Sequence, residues 1–222
     1  MPGLIILFIG VAIVFVVFAH QAEKKKREQI RLYAQSRHLR FSPDKDRAFA
    51  KSFRDFRFLA QGSNRFAQYR MQGEVNGHQL LMCEYHYQVT SSNGKQTTTH
   101  HYWSTLVMLR PSFRLKPLAI RREGFFDKMK ATFGWDDIDF ASAEFSRQFH
   151  VSAPDRDWAF AVVQPATMDL LMRSDRDLGV YMEQGWLMLG YKKRMDLGRL
   201  ENMISTGCRL LDEIPDFCKE GS

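Results

Sequence analysis

Hydrophobic positions begin as an unbroken block and become periodic further along the chain. Gly3 to Ala19 ("GLIILFIGVAIVFVVFA") carries no charge, and at about 1.5 Å per residue a helix of that length covers roughly 25 Å, close to the lower limit for a bilayer core. "EKKKR" follows directly. A cleaved export signal puts its positive charge ahead of the apolar run, whereas here only "MP" precedes Gly3. The block therefore reads as a retained transmembrane anchor over residues 1–20. Under the positive-inside rule its N-terminus lies outside and the remainder in the cytoplasm, at an inner membrane. Residues 21–41 continue as a basic juxtamembrane stalk, with Ile30, Tyr33 and Ala34 at helical spacing.

Residues 42–222 hold the folded domain. Ser42 and Pro43 have the chemistry of a helix start, and Phe49, Phe53, Phe56 and Ala60 repeat at four, three and four before Gly62, which predicts one helix with an aromatic core face. From Arg65 the period shortens to that of strands: "RFAQYRMQGEV", "HQLLMCEYHYQVT" and "TTTHHYWSTLVML" are broken at Asn76-Gly77 and Asn93-Gly94, dipeptides suited to two-residue type I′ hairpins. "RLKPLAIRRE" reads as a strand at an edge or of irregular form, because Pro117 removes a ladder donor. "GFFDKMKATFGWDDIDF" reads as a short helix and an acidic turn, and "FSRQFHVSA" as a strand. Helices follow over "DRDWAFAVV" and over "PATMDLLMR", opened by Pro165, and a hairpin turns at Gln184-Gly185. Asp196 then caps an amphipathic helix with Leu200, Met203, Ile204, Leu210, Leu211 and Ile214 on one stripe. Strands as antiparallel neighbours with helices inserted late give an α+β class: an N-terminal transmembrane helix, a mainly antiparallel sheet packed by helices, and a closing C-terminal amphipathic helix.

Charge narrows the partners. The 222 residues carry a formal +7, but residues 23–40 supply +5 of it and residues 41–222 only +2. The basic character is a local feature beside the apolar block, which argues against nucleic acid and for anionic headgroups meeting Lys24, Lys25, Lys26 and Arg27. Cys83, Cys208 and Cys218 form no CxxC pair and read as reduced thiols, two of them as small buried hydrophobes.

Candidate chemistry is sparse. With a two-residue turn at Asn93-Gly94, His86 opposes His101 and shares a face with Glu84 and Trp103, so two imidazoles and a carboxylate offer a zinc-type ligand set lacking a visible fourth member. Asp136, Asp137, Asp139 and Glu144 cluster without calcium-loop spacing and read as a solvated turn. Phe125, Phe126, Met129 and Phe133 fall on one face of a segment that either covers the sheet or rests in a bilayer interface. Phosphate-cradle, zinc-hydrolase and nucleophile-elbow motifs are missing, so no cofactor is called for.

"AEFSRQFHVSAPDRDWAFAVVQPATMDLLMRS", followed by "LGVYMEQGWLMLGYKK", resembles a bacterial family of uncharacterised membrane-associated proteins over about residues 60–195. The resemblance implies a bacterial source and an α+β domain, and brings no catalytic residues. The expectation is a membrane-anchored, non-catalytic binding or scaffold module with an unknown protein partner. Its alternatives are a metal-dependent membrane-associated enzyme using His86, His101 and Glu84, or a lipid-surface sensor.

Overall fold

The computed structural model describes residues 2–53, 56–94, 96–122 and 135–219, with side chains of the first helix described from Val14 onward. Helix α1 (Pro2–Ser36) leads into β1 (Arg40–Ser42), a short α2 (Phe49–Ser52) and a 3₁₀ turn at Arg57–Ala60. The long strands β2 (Ser63–Val75), β3 (His78–Ser92) and β4 (Thr97–Arg110) follow, then β5 (Leu118–Arg122), α3 (Ala143–Gln148) and β6 (Phe149–Ser152). Helices α4 (Arg156–Val162) and α5 (Pro165–Arg173), hairpin strands β7 (Leu178–Glu183) and β8 (Trp186–Tyr191), α6 (Leu197–Asp212) and a 3₁₀ turn at Asp216–Cys218 come after them. The described strands form one antiparallel sheet in the order β1-β2-β3-β4-β8-β7-β5-β6. The α+β class is therefore observed. Among the described residues, no helix is long and apolar enough to cross a membrane.

Two of the three expected tight turns form as anticipated. Asn76 and Gly77 both take positive φ (+49° and +76°), as do Gln184 and Gly185 (+52° and +74°), matching the right-handed twist of the strands they join. The β3–β4 connection differs. Pairing stops at Ser92↔Thr97, and the loop closes with Gln96 N–H donating to Asn93 Oδ1 (2.8 Å). Gly94 takes positive φ but Asn93 does not, so the two-residue turn is not made. Partners slide by two: His86 faces Trp103, and His101 faces Gln88. A two-residue slide preserves the faces that a one-residue slip would have exchanged.

The sheet separates two cores. On one face, Ile30 and Ala34 of α1, Trp158 and Val162 of α4, and Leu200, Met203 and Leu211 of α6 cover Met82, Val107, Leu109, Val180 and Leu189. Ile30 and Ala34 are thus packed into the domain and do not belong to a free stalk. Asp196 caps α6 by accepting from Arg199 N–H (3.1 Å), and Gly207 brings that helix so close that a Cβ would meet Leu109 Cδ1 at 2.7 Å. On the other face lie Phe49, Phe53, Phe56 and Phe58 over Cys83, Tyr85, Tyr181 and Met188.

That aromatic cover corrects the helix expected over residues 42–62. Ser42 ends β1 against Arg70, Asp46 bridges Ala67, and among the described residues of the segment helix is found at Phe49–Ser52 and in the 3₁₀ turn. The phenylalanines are buried as expected, because their spacing encodes burial; the backbone is broken because extended pairing with β2 claims the first residues and Pro43 disfavours helix before it. Two more readings are corrected. Pro117 precedes β5, which lies between β7 and β6 and so is no edge. Half of the strand expected over Phe145–Ala153 is the short helix α3, initiated by Ser142 Oγ accepting from Phe145 N–H. The interfacial segment around Phe125–Phe133 lies outside the described residues.

Candidate functional site

Along the helix-covered face of β3, apolar Leu80 and Met82 give way to Glu84 and His86. Glu84 is fully buried and its carboxylate is saturated. Oε1 accepts from Lys26 Nζ of α1 (2.6 Å) and from the backbone N–H of Met195 (2.8 Å). Oε2 accepts from Gln68 Nε2 of β2 (2.7 Å) and from Arg194 Nη2 (2.9 Å). Burial alone would raise its pKa, but the hydrogen bonds from Arg194 and Lys26 outweigh it and hold Glu84 below the ordinary carboxylate range. The arrangement ties three segments far apart in sequence to one buried charge. Beside it, Tyr69 takes a left-handed φ of +51° at a bulge in β2, donates its hydroxyl to Glu23, and lies under Lys26 (5.5 Å to the ring centroid).

Two residues further along, His86 is 3% exposed and packs among rings. Its Nδ1 lies 3.2 Å from Asn64 O, its Nε2 lies 3.0 Å from His101 Nδ1, and its ring stacks on Phe66 at 4.6 Å with Trp103 at 4.6 Å. Desolvation, with His101 and Lys45 nearby, lowers the His86 pKa and keeps the ring neutral.

Of the residues singled out from sequence, His86 and His101 do meet. Glu84 shares their face, but both of its oxygens are engaged by Lys26, Gln68, Arg194 and Met195. Among the described residues, no group of three or more His, Cys, Asp or Glu is placed to hold a metal ion. Lys24, Lys25 and Arg27 are exposed on α1, while Lys26 is half-buried and reaches Glu84. Asp136, Asp137 and Asp139 are exposed, with Asp137 3.7 Å from His150. Cys83 is buried on the opposite face, where desolvation raises its pKa and leaves it an unreactive thiol.

Arg194 was not anticipated. The available signal was Glu84 itself, a carboxylate inside the apolar run "LLMCEYHY" that must find cations if buried. Arg194 also lies over Trp103 (4.5 Å) at the rim of a notch of about 380 Å³, shared with Tyr87, His101, Lys192 and Lys193.

No family model matches the chain, and no curated protein matches it. One solved structure is similar, the mycobacterial trehalose monomycolate transport factor A, TtfA. The likeness covers 85% of this chain and 96% of that one, with a TM-score of 0.61 at 11% identity. At that identity the likeness concerns the fold.

Proposed function

We propose that this chain is a membrane-tethered, non-catalytic binding or scaffold module whose sheet is held at the cytoplasmic face of a bacterial inner membrane by α1. The observation that carries the reading is the continuity of that helix. Its 35 residues run unbroken from the apolar block into the domain core, so anchor and sheet share one rigid element about 52 Å long. Val14, Phe15, Val16, Val17 and Phe18 are 47–74% exposed, an apolar surface that favours lipid, whereas Ile30 and Ala34 are buried. Between them Lys26 is fastened to Glu84, so the helix cannot swivel freely on the sheet. Exposed Lys24, Lys25 and Arg27 stand where anionic headgroups lie. The similarity to a trehalose monomycolate transport factor supports a lipid-related task over a reaction of its own.

The test is localisation of the full chain in bacterial cells. It should stay with membranes through an alkaline carbonate wash, and a reporter that matures only in the cytoplasm should be active when fused to the C-terminus. Release by the wash, or a mature N-terminus near Gln21, overturns the reading.

A further inference from the structure

The β3–β4 ribbon carries an open edge. Asn93 N–H donates to Gln96 O (3.2 Å), so Gln96 turns its backbone groups inward, and alternation along the antiparallel ladder turns those of Thr97, Thr99, His101 and Trp103 outward. β8 takes up this row only at Thr105, opposite Tyr191; beyond that the chain leaves the ladder, with Thr105 Oγ1 donating to Lys193 O (2.9 Å). Among the described residues, no strand pairs with the outward side of residues 97–104. Thr97, Thr99 and His101 are exposed, and a notch of about 380 Å³ flanked by Tyr102, Trp103 and Ser104 leaves room in line with the end of β8.

Such an edge is a template for a further strand, and natural proteins guard theirs with charge, proline or a bulge. None of these guards stands here. From Tyr85 to Leu109 the sequence has no proline and one formal charge, Lys95 in the loop, and β3 pairs with β4 without a register shift. A second copy of the chain does not fit the edge. α1 runs beside β3, with Leu39 over Gly73, the partner of Leu80, and Lys26 at Glu84, so the apolar half of the helix and the ribbon leave the domain on the same side. Antiparallel pairing of two copies would therefore send their anchors in opposite directions, and parallel pairing about a two-fold along the strand would set N–H against N–H. The occupant that fits is an extended segment of another polypeptide. Its cross-strand neighbours would be threonine, histidine and aromatic side chains, which favour uncharged β-branched and aromatic residues.

We infer that β4 binds a partner protein by taking one of its extended, uncharged segments as an added strand along residues 97–103, beside the membrane that holds α1. The inference rests on the membrane-tethered reading and states how that module holds its partner. Its test places benzoylphenylalanine in turn at Thr98, His100 and Tyr102 of the full chain in its native cells, crosslinks with light and maps the adducts. All three should join one segment of one other protein, at sites that step by two residues in strand order. Thr99→Pro removes an outward donor and spares the backbone ladder to β3; it should cut the adduct yield about tenfold. Thr99→Val gives up the same exposed hydroxyl contact to Thr90 and should leave the yield unchanged. Adducts to a second copy, adducts scattered over several proteins, no adduct, or a yield unmoved by Thr99→Pro each overturn the proposal. Amide-resolved hydrogen exchange of the purified chain in phosphatidylcholine nanodiscs needs no partner: Thr99 and His101 should exchange fast, and Thr98 and His100 slowly. Equal rates at the four overturn it as well, and if all are slow the chain covers its own edge. Recovery of the chain in the soluble fraction of those cells defeats the tethered reading instead, and stepped adducts formed there would leave the added strand standing, which separates the two failures.

Discussion

Glu84 and His86 stand two residues apart on the same strand and face, yet the fold uses them in opposite ways. Glu84 is charged and gathers donors from α1, β2 and the turn after β8; His86 is neutral and finds its partners within the β2–β4 meander. The difference follows from what lies above each position. Lys26 and Arg194 arrive over Glu84, whereas Phe66 and Trp103 close around His86. A buried ion costs several kcal/mol to desolvate, so it persists only where opposite charges are brought to it. The Glu84 cluster therefore reports whether α1 is docked, while the histidine pair reports only whether the hairpin is formed.

The comparison breaks most sharply at Glu84→Gln. The amide keeps the shape but turns donors toward Lys26 and Arg194. Removing one member of a buried pair costs about 3–5 kcal/mol, and the low end applies because the Lys26 and Arg194 side chains retain 23% and 46% exposure and can reach water. Urea unfolding of the full chain in mild detergent should show a loss of roughly 3 kcal/mol. Hydrogen exchange around Lys26–Ile30 should accelerate while the Asn76-Gly77 hairpin stays protected. A loss spread evenly over the sheet would deny the cluster its role in docking α1.

What the sequence made legible divides along the same line. Strands β2, β3 and β4, the Asn76-Gly77 and Gln184-Gly185 turns, and the α6 stripe rest on local periodicity and dipeptide conformation, and each is where the pattern put it. The meeting of His86 with His101 was also legible, because a register error of two residues conserves faces. Glu84 was noticed only as a possible ligand. Its cations lie 58 and 110 residues away, and no local rule selects Lys26 from its neighbours Lys24, Lys25 and Arg27. The Ser42–Gly62 segment failed for a related reason: its phenylalanine spacing encodes a buried surface, but the sheet pairing that breaks its helix depends on β2.

His86→Phe sharpens the comparison with a smaller effect. The new ring retains the stack on Phe66 and gives up the contacts to Asn64 and His101; a net loss of about 1 kcal/mol is expected in the same unfolding measurement. Exchange around Lys26–Ile30 should not change. Acceleration there would mean that the two clusters are coupled and that their separation is false.

The smallest effect, and the one that separates the clusters without altering a partner of Glu84, is the pH dependence. His86 has its pKa lowered from 6.5 in the folded chain, so the unfolded chain binds the proton first as pH falls. Stability from this group is complete above about 6.5 and declines below it until the folded pKa is passed. Glu84 is likewise held below its ordinary 4.5, so its contribution is complete above that value and is lost only as pH falls through the folded pKa. Two declines should therefore appear in unfolding free energy measured across the acidic range, one beginning near pH 6.5 and one beginning near 4.5. His86→Phe should reduce the upper decline and spare the lower one; Glu84→Gln should do the reverse. An upper decline untouched by His86→Phe would move that titration to another histidine and take the neutral, buried ring out of the account of this face.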